Sequence, residues 1–422
     1  MLRHPLASGG LIACVALVAT LVTHGGQATS AAAQIISTVP GVDGNLPGEC
    51  RSMADVPRAV LEPILRVPEA EQLLKSGGLM GLTMAKDGSL YFGARFLAPY
   101  LYRVDTLGGI TGIPTSDEVQ AILQSDFVGM RATTATHIAI WLIHSASAVA
   151  IRADGYLASR DALAAPPGPV DQVSFDSQGG LYLSHRPDST RRVVRYFPVP
   201  VSMEDHEDVT LPHEGIVPLL LAENNGFNVT QPLPYHPVPL WVPLLNGQVA
   251  WTDAADFQLR RIGVDRQETF FCYADFVRAA VTSAEREEIE SRMAWMSRFT
   301  DSNWVWTGPR VSDRQVAIEK LMADSEGNVW VLAPLASRLI PEGEGWPRFR
   351  RIKDSPLTRS VRQFELHRID AGGRNAVRVQ TPEWFDANLW VAQGEKVWAV
   401  LVDQASPDEK WELMQFRVVP AP

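Results

Sequence analysis

The 422-residue sequence lacks the short motifs that mark the commonest enzyme and metal sites. It has no G-x-S-x-G nucleophile elbow, no H-E-x-x-H zinc motif, no P-loop, no C-x-x-C pair and no EF-hand loop. Each of these motifs places its reacting groups within a few neighbouring residues. Any catalytic site would therefore have to be assembled from side chains that lie far apart in the chain.

Basic residues are few compared with acidic ones. The chain has 38 Lys and Arg against 48 Asp and Glu, which gives a formal net charge of −10. Lys and Arg never form a run longer than a pair, such as Arg191-Arg192 or Arg350-Arg351. Neutralising a phosphate backbone requires a basic face. We therefore expect no nucleic-acid partner.

Long apolar runs are missing except near the N-terminus. Arg3 precedes an apolar stretch from Leu11 to Val22, and Ala31–Ala33 resembles an A-x-A cleavage site. The stretch is too short to span a bilayer, so we predict an export signal over residues 1–33 and no transmembrane segment after cleavage. A lipid anchor at Cys14 is an alternative, although the apolar run continues past that residue. An uncleaved anchor is a third interpretation. The predicted location is periplasmic or extracellular.

Cysteine is also scarce, with three in the chain. Removal of the leader leaves Cys50 and Cys272. In an oxidising compartment an even pair suggests a disulfide. Two buried free thiols remain an alternative, because the sequence does not show whether the two residues lie close together.

What the chain does contain is a recurring strand–turn–strand pattern. Its clearest copy runs from Leu321 to Leu332, with Asp324 to Asn328 as a tight turn and Val329 to Leu332 as an apolar second strand. Similar sequence patterns recur, each with one aromatic residue on its second predicted strand, at Tyr91, Trp141, Tyr182, Trp251, Trp330 and Trp398. Several copies are followed by a third strand that carries Arg.

Six such units predict an all-β fold, a six-bladed β-propeller. The first markers are separated by about the 40–50 residues of a bare four-stranded blade, and the later ones are further apart. We therefore expect the propeller over residues 81–420, with insertions at 198–240 and 265–315. A β-sandwich is the alternative, but a sandwich does not repeat its turn sequence.

The region before the propeller, residues 34–80, is expected to be an N-terminal extension. Its segment Ile64–Val67 is a candidate for a strand that closes the ring by completing the last blade.

The insertion between blades 4 and 5 contains the one helix that the sequence predicts strongly. Thr282 and Glu285 have the spacing of a capping box. Ile289, Met293 and Met296 then form one apolar face. This helix either covers one end of the propeller as a lid or partner surface, or packs there as a plain insertion.

One comparison between the repeats suggests a metal site. Three residues after the marker aromatic, blades 2 and 3 carry His144 and His185, and the corresponding position of blade 4 is Asp253. Equivalent positions of successive blades lie on one rim of the ring, so these side chains could bind a divalent metal. Alternatively they are polar residues that end a strand through side-chain-to-backbone hydrogen bonds.

The repeat sequence resembles that of NHL-type and strictosidine-synthase-like six-bladed propellers, in Gly88–Asp105 and Gly180–Phe197. The C-terminal half is similar to exported bacterial "6-bladed β-propeller" proteins of unassigned function, in Trp241–Val264, Ile318–Leu332 and Phe364–Arg417. The resemblance covers roughly residues 80–420 and implies a fold, with no activity attached. The G-x-G-P-G-E-type stretch of that group is missing. The ligand sets of propeller lactonases and amidating lyases find no matching residues.

We therefore expect an exported, non-catalytic propeller that binds a protein, peptide or glycan at one face of the ring. The alternative is a metal-dependent hydrolase or lyase with its site at the mouth of the central channel. Ligand identity and oligomeric state do not follow from the sequence.

Overall fold

A computed structural model describes the chain from Cys50 to Ala421 with internal gaps. The gaps are residues 78, 95–96, 126, 135–136, 143–146, 153–156, 163–169, 177, 188–190, 199–204, 213–218, 225–226, 265–266, 301–309, 342–343, 348–356 and 407–408. The predicted export signal, Cys14 and His144 lie outside the described residues.

Helices are few in the described part of the chain. They are α1 (Ala70–Gly77), α2 (Asp117–Ser125) and α3 (Ser283–Thr300), with one 3-10 turn at Met53–Asp55. None of these helices is long and apolar enough to cross a membrane.

Strands make up most of the structure. In chain order they are β1 (Arg58–Val67), β2 (Leu79–Met84), β3 (Leu90–Ala94), β4 (Leu101–Val104), β5 (Ile110–Gly112), β6 (Phe127–Thr134), β7 (His137–Leu142), β8 (Ser147–Arg152), β9 (Leu157–Ala162), β10 (Val170–Phe175), β11 (Leu181–His185), β12 (Val193–Phe197), β13 (Glu207–Thr210), β14 (Leu219–Asn224) and β15 (Phe227–Pro232). They continue with β16 (Leu240–Pro243), β17 (Val249–Thr252), β18 (Gln258–Ile262), β19 (Gln267–Cys272), β20 (Lys320–Ala323), β21 (Val329–Leu339), β22 (Trp346–Pro347), β23 (Leu357–Thr358), β24 (Ser360–Ile369), β25 (Ala376–Gln380), β26 (Phe385–Gln393), β27 (Lys396–Asp403) and β28 (Lys410–Pro420). The prediction of a mainly β chain is confirmed.

The sheets are antiparallel meanders. Four of them have four strands each, β2–β5, β6–β9, β10–β13 and β16–β19. An eight-stranded sheet has the order β20-β21-β24-β25-β1-β28-β27-β26. It consists of two such meanders joined edge to edge, where β1 runs parallel to β25 from Arg58↔Arg378 to Val60↔Gln380. The pairs β14–β15 and β22–β23 are separate hairpins.

The first strands of the meanders contact one another in a closed cycle. Going round, β2 contacts β6, followed by β10, β16, β20 and β26, which contacts β2 again. Sheets arranged radially with their first strands innermost are the arrangement of a β-propeller, in which each sheet packs on its two neighbours. The hydrophobic core is accordingly divided into several clusters between adjacent sheets.

The N-terminal strand belongs to the same sheet as the C-terminal one. β1 pairs antiparallel with β28 from Ala59↔Pro420 to Val67↔Leu413. It includes the segment Ile64–Val67 considered for ring closure. Leu61 of β1 is buried against Trp330, Phe416 and other members of one core cluster, so this strand carries part of the hydrophobic packing.

The repeated sequence corresponds to the first two strands of each meander and their turn. Each marker aromatic lies on a second strand, and Tyr91, Tyr182, Trp330 and Trp398 are fully buried. At Gly327 the turn has φ +82°, a conformation that glycine adopts without a steric penalty.

Asp324 shows why an acidic residue opens the turn. Its carboxylate accepts from the backbone N–H groups of Glu326 and Asn328 (both 2.9 Å) and from the indole N–H of Trp330 (3.1 Å).

Hydrogen bonds at these turns also join neighbouring meanders. Asp324 Oδ2 accepts from the backbone N–H of Gly394 (3.2 Å), in the turn of the next meander. The indole N–H of Trp398 donates to the carbonyl oxygen of Gly88 (3.2 Å). That bond links the last meander to the first, so a side chain of the repeat closes the ring.

Each of the two predicted insertions includes a strand of a four-stranded meander. β13 falls within 198–240 and β19 within 265–315, and each is the fourth strand of its meander. β13 was not predicted, because it has only four residues and the proline and acidic residues around it suggested a loop.

The capping box of α3 forms as predicted. The Thr282 backbone N–H donates to Glu285 Oε2 (2.7 Å) and the Glu285 N–H donates to Thr282 Oγ1 (3.2 Å). Ile289 and Met293 are buried against Leu233 and Val311.

Candidate functional site

A cavity of about 690 Å³ lies at one face of the ring. At this face the first strands β16, β20 and β26 begin, and we call it the entry face. Helix α3 and the loop before β16 form the outer wall of the cavity. A volume of roughly 300–1,000 Å³ is typical of sites for small molecules or short polymer segments.

The lining combines apolar and polar side chains. The apolar group includes Leu233, Ile289, Ile318, Val361, Phe364 and Trp384. The polar group includes Tyr235, His236, Glu288, Glu319, Arg362 and Asp386. Apolar and polar groups share the walls in similar measure, which suits an amphipathic ligand.

Two aromatic residues of the lining have a left-handed backbone. Tyr235 has φ +59° and Trp384 has φ +68°. This conformation is rare for bulky residues, and a side chain held in it costs about 1–3 kcal/mol. Tyr235 lies in the loop before β16, and Trp384 directly precedes β26. The fold therefore presents both rings to the cavity against a local backbone preference.

An ion pair between Arg362 and Glu319 packs against the ring of Tyr235. Arg362 forms two parallel bonds to Glu319, Nη1 to Oε1 at 3.0 Å and Nη2 to Oε2 at 2.8 Å. Its guanidinium carbon lies 5.6 Å from the ring centroid of Tyr235 and 4.9 Å from that of Phe364. Burial opposes the charge of Arg362, but Glu319 outweighs burial and raises the pKa of the guanidinium. Burial raises the pKa of Tyr235 to about 12, so its hydroxyl stays protonated and can donate.

The other carboxylates of the cavity are also bonded within the protein. Glu288 Oε2 accepts from the backbone N–H of Arg359 (2.9 Å) and from Ser360 Oγ (3.0 Å), which ties α3 to the start of β24. Asp386 Oδ1 accepts from the backbone N–H groups of Asn388 (2.8 Å) and Leu389 (3.1 Å).

Lys320 begins β20 beside this wall. Its Nζ donates to the carbonyl oxygen of Asn388, a lining residue, at 2.7 Å and lies 5.1 Å from the ring centroid of Trp390. Burial lowers the pKa of Lys320 to about 8, with a partial offset from Asp386.

His236 lies on the opposite wall, next to Tyr235. Partial burial lowers the pKa of its imidazole. At neutral pH the ring is therefore uncharged and offers one hydrogen-bond donor and one acceptor.

Two residues of the predicted metal site, His185 and Asp253, lie among the described residues. His185 ends β11 and is buried at 2 % exposure. Asp253 follows β17, is exposed, and its Oδ1 accepts from the backbone N–H of Ala255 (2.9 Å). That bond is the strand-ending role considered as the alternative. Since His144 is not described, the three-residue site stays a prediction. Among the described residues no three metal-ligating side chains cluster.

Cys50 and Cys272 form a disulfide, with Cα atoms 4.8 Å apart. It holds the segment before β1 against the end of β19. The backbone N–H of Arg51 donates to the carbonyl oxygen of Cys272 (3.0 Å), and that of Ala274 donates to Arg51 O (2.8 Å).

The residues of the entry cavity were missed by the sequence reasoning. Tyr235 stands between Pro234 and Pro237, a proline pattern that signals an ordered turn at most. A positive φ at Trp384 has no sequence signal, because aromatic residues rarely adopt it.

A second cavity of about 590 Å³ lies at the opposite face, among the turns between first and second strands. Its lining includes the charged side chains of Lys86, Glu326, Glu395, Lys396 and Arg417. This cavity supplies control positions for the entry cavity.

No family model and no curated protein matches the chain. Solved structures do match. A DUF4221 family member from Bacteroides vulgatus aligns with 87 % of this chain and 98 % of its own, at 9 % identity and a TM-score of 0.43. Virginiamycin B lyase from Staphylococcus aureus aligns with 85 % of this chain and 99 % of its own, at 10 % identity and a TM-score of 0.37. Regucalcin, a calcium-binding protein from Agrobacterium tumefaciens, aligns with 86 % and 98 %, at 12 % identity and a TM-score of 0.35. Likenesses this distant assign no activity to the chain.

Proposed function

We propose that this protein is an exported six-bladed β-propeller that binds a protein, peptide or glycan segment in the entry cavity without transforming it. Six blades are supported by the closed cycle of first strands and by the bond from Trp398 to Gly88. Export is supported by the leader sequence.

The observation that carries the binding function is the aromatic rim of the cavity. Tyr235 and Trp384 keep a strained backbone conformation and present their rings to one concave, half-apolar space. Strain of this kind persists where surrounding structure holds it in place, and it concentrates at binding sites and switches. Aromatic faces combined with neutral hydrogen-bonding groups favour peptide or sugar segments over compact ions.

Binding without catalysis is supported by how the cavity carboxylates are used. Glu319 is paired with Arg362, and Asp386 and Glu288 accept from backbone N–H groups. A general base needs its oxygen within reach of a substrate proton, whereas these carboxylates act as internal supports.

A ligand screen by thermal unfolding tests the proposal. Panels of neutral and acidic oligosaccharides and of unstructured peptides are compared on the wild type, Tyr235→Gly and Trp384→Gly. Glycine tolerates the left-handed backbone, so each variant removes a ring and leaves the turn intact. We expect at least one class to raise the Tm of the wild type and to lose most of this effect in both variants.

Lys396→Ala, at the opposite face, is the matched control and should respond like the wild type. The proposal fails if no class stabilises the wild type, or if active compounds stabilise the two rim variants equally well.

A further inference from the structure

The charged side chains that line the entry cavity are already engaged within the protein. Glu319 and Arg362 bond to each other, and Glu288 accepts from a backbone N–H group. Asp386 accepts from two backbone N–H groups, and Arg292 on α3 also has a partner within the protein. Each charged side chain of this lining is therefore held by other protein groups before any ligand enters.

Tyr235 and His236 line the same cavity and differ in this respect. Within the described part of the chain, neither the Tyr235 hydroxyl nor a ring nitrogen of His236 forms a hydrogen bond. None of these atoms is enclosed without a partner, so each is open to solvent. A phenol hydroxyl and an uncharged imidazole can both donate and accept. Two adjacent, uncharged side chains therefore offer hydrogen bonds to a ligand.

A tight turn fixes the direction of these two side chains. The backbone N–H of His236 donates to the carbonyl oxygen of Leu233 (3.1 Å). Between them, Pro234 restricts φ, and Tyr235 has φ +59° at the position that a type II turn normally gives to glycine. Leu233 is buried against Ile289 of α3, which anchors the turn. Groups held in place before binding lose less conformational entropy when a ligand arrives.

The backbone around the cavity favours a glycan over an extended peptide. A peptide that adds to a sheet edge gains its affinity from main-chain hydrogen bonds. The backbone N–H groups of three lining residues, His236, Glu319 and Asn388, already donate within the protein. An extended peptide would therefore find these main-chain donors occupied.

We propose that the ligand of the entry cavity is a neutral glycan segment whose hydroxyl groups bind the Tyr235 hydroxyl and the His236 imidazole. This assignment rests on the proposed function and narrows its ligand class. Sugar hydroxyls donate and accept as these two side chains do, and the C–H faces of a sugar ring suit the negative faces of Tyr235 and Trp384. A charged ligand group would lose its hydration among side chains that already have partners.

Titration calorimetry at pH 7 tests the assignment with cellotriose, maltotriose, mannotriose and triacetylchitotriose. Cationic chitotriose is the charged counterpart of the last sugar, and the blocked peptide acetyl-(Ser-Gly)3-amide represents the peptide class. Tyr235→Phe removes the hydroxyl and keeps the ring. His236→Leu removes both ring nitrogens, whereas His236→Gln keeps a donor and an acceptor. Tyr196→Phe, which removes a hydroxyl outside the cavity lining, is the matched control.

We expect at least one neutral trisaccharide to bind the wild type. Tyr235→Phe and His236→Leu should each weaken its binding about 3–10-fold, the equivalent of one hydrogen bond. His236→Gln should recover most of the affinity lost in His236→Leu, and Tyr196→Phe should match the wild type. Chitotriose should bind more weakly than triacetylchitotriose. Calorimetry on folded protein keeps any change in the stability of a variant out of the comparison.

The failures of the two proposals can be told apart. If the peptide binds and no sugar does, the glycan assignment is overturned while the cavity remains a binding site. If a sugar binds Tyr235→Phe and His236→Leu as tightly as the wild type but is lost in Tyr235→Gly, stacking alone holds it and the hydrogen-bond assignment is rejected. If neither the sugars nor the peptide bind, or binding is indifferent to Tyr235→Gly and Trp384→Gly, both proposals fail.

Discussion

At the scale of single residues, His367 stands out as a histidine enclosed by other side chains. It is fully buried, and its Nδ1 lies 3.0 Å from the hydroxyl of Tyr273. Its Nε2 lies 3.2 Å from Glu365 Oε2 without a well-formed hydrogen bond. Glu365 is in turn held by Arg378, with Oε2 at 2.9 Å from Nε. This row of side chains lies between β19 and β24–β25, next to the disulfide.

The network makes folding sensitive to pH. Burial lowers the pKa of His367, and Glu365 offsets this only in part. The folded state therefore holds a neutral imidazole, whereas the unfolded chain takes up a proton near pH 6.5. The stability is fully present above that pH and is lost as the pH falls below it.

We expect the free energy of unfolding to decrease from pH 7 to 5.5, with His367 contributing up to about 1.4 kcal/mol per pH unit. Denaturant unfolding at several pH values measures this slope. His367→Gln keeps a polar side chain of similar reach but does not titrate. Its slope should be smaller by the equivalent of one proton, and an unchanged slope would show that the other histidines carry the effect.

At the scale of elements, the N-terminal segment is held by two different means. β1 pairs with both β28 and β25, and the residues before it are joined to β19 by Cys50–Cys272. Asp275 adds a polar contact, since Oδ1 accepts from the Met53 N–H and Oδ2 from Ser52 Oγ, both at 2.7 Å. The segment is thereby part of the ring.

Removing the disulfide should cost stability through the unfolded state. The bond spans a sequence separation of 222 residues, and cross-links that close long loops restrict the unfolded chain most. We expect Cys50→Ser/Cys272→Ser to lower the free energy of unfolding by about 2–5 kcal/mol. Wild type unfolded in reductant should match the double variant, and a reductant-insensitive wild type would contradict the prediction.

How far the sequence leads is also clearest for elements. The turn around Asp324–Asn328 and the capping box of α3 were predictable, because both are formed by residues close in the chain. β13 was not, since four residues without periodicity become a strand only beside β12. For the predicted metal site, a polar residue after a second strand indicated a position on one rim of the ring. The sequence did not indicate that His185 is buried while Asp253 is exposed. That difference depends on packing between neighbouring sheets.

The same limit applies to the entry cavity. Lys320 obtains its environment from Asn388 and Trp390 on β26, and Arg362 contacts a ring on a loop that precedes it by more than a hundred residues. Such juxtapositions follow from the closed cycle of sheets. Local sequence patterns therefore gave the repeating unit, and the position of functional groups came from the tertiary structure.

At the scale of the whole molecule, the ring is held together at the turns as well as by its core. Tyr182 donates to the carbonyl oxygen of Leu244 (2.7 Å) and accepts from the N–H of Gly247 (3.0 Å), both in the next meander. Asp324 accepts from Gly394 in the same sense. The hydrogen bond from Trp398 to Gly88 is different, because it joins the last meander of the chain to the first. In a closed ring of sheets that pack only on their neighbours, the last contact determines whether the ends can open separately.

Trp398→Phe removes that closing bond and keeps an aromatic ring in the core. Trp390→Phe is the control, because its indole N–H donates to Ala387 O, three residues away in the same strand (3.0 Å). Both variants should lose about 1–3 kcal/mol, from one buried hydrogen bond and a smaller ring. Only Trp398→Phe should increase amide exchange at a distance, in β2–β4 and β1 together, as the first and last meanders separate. Hydrogen exchange read by mass spectrometry decides the point, since equal, local changes in the two variants would show that packing alone closes the ring.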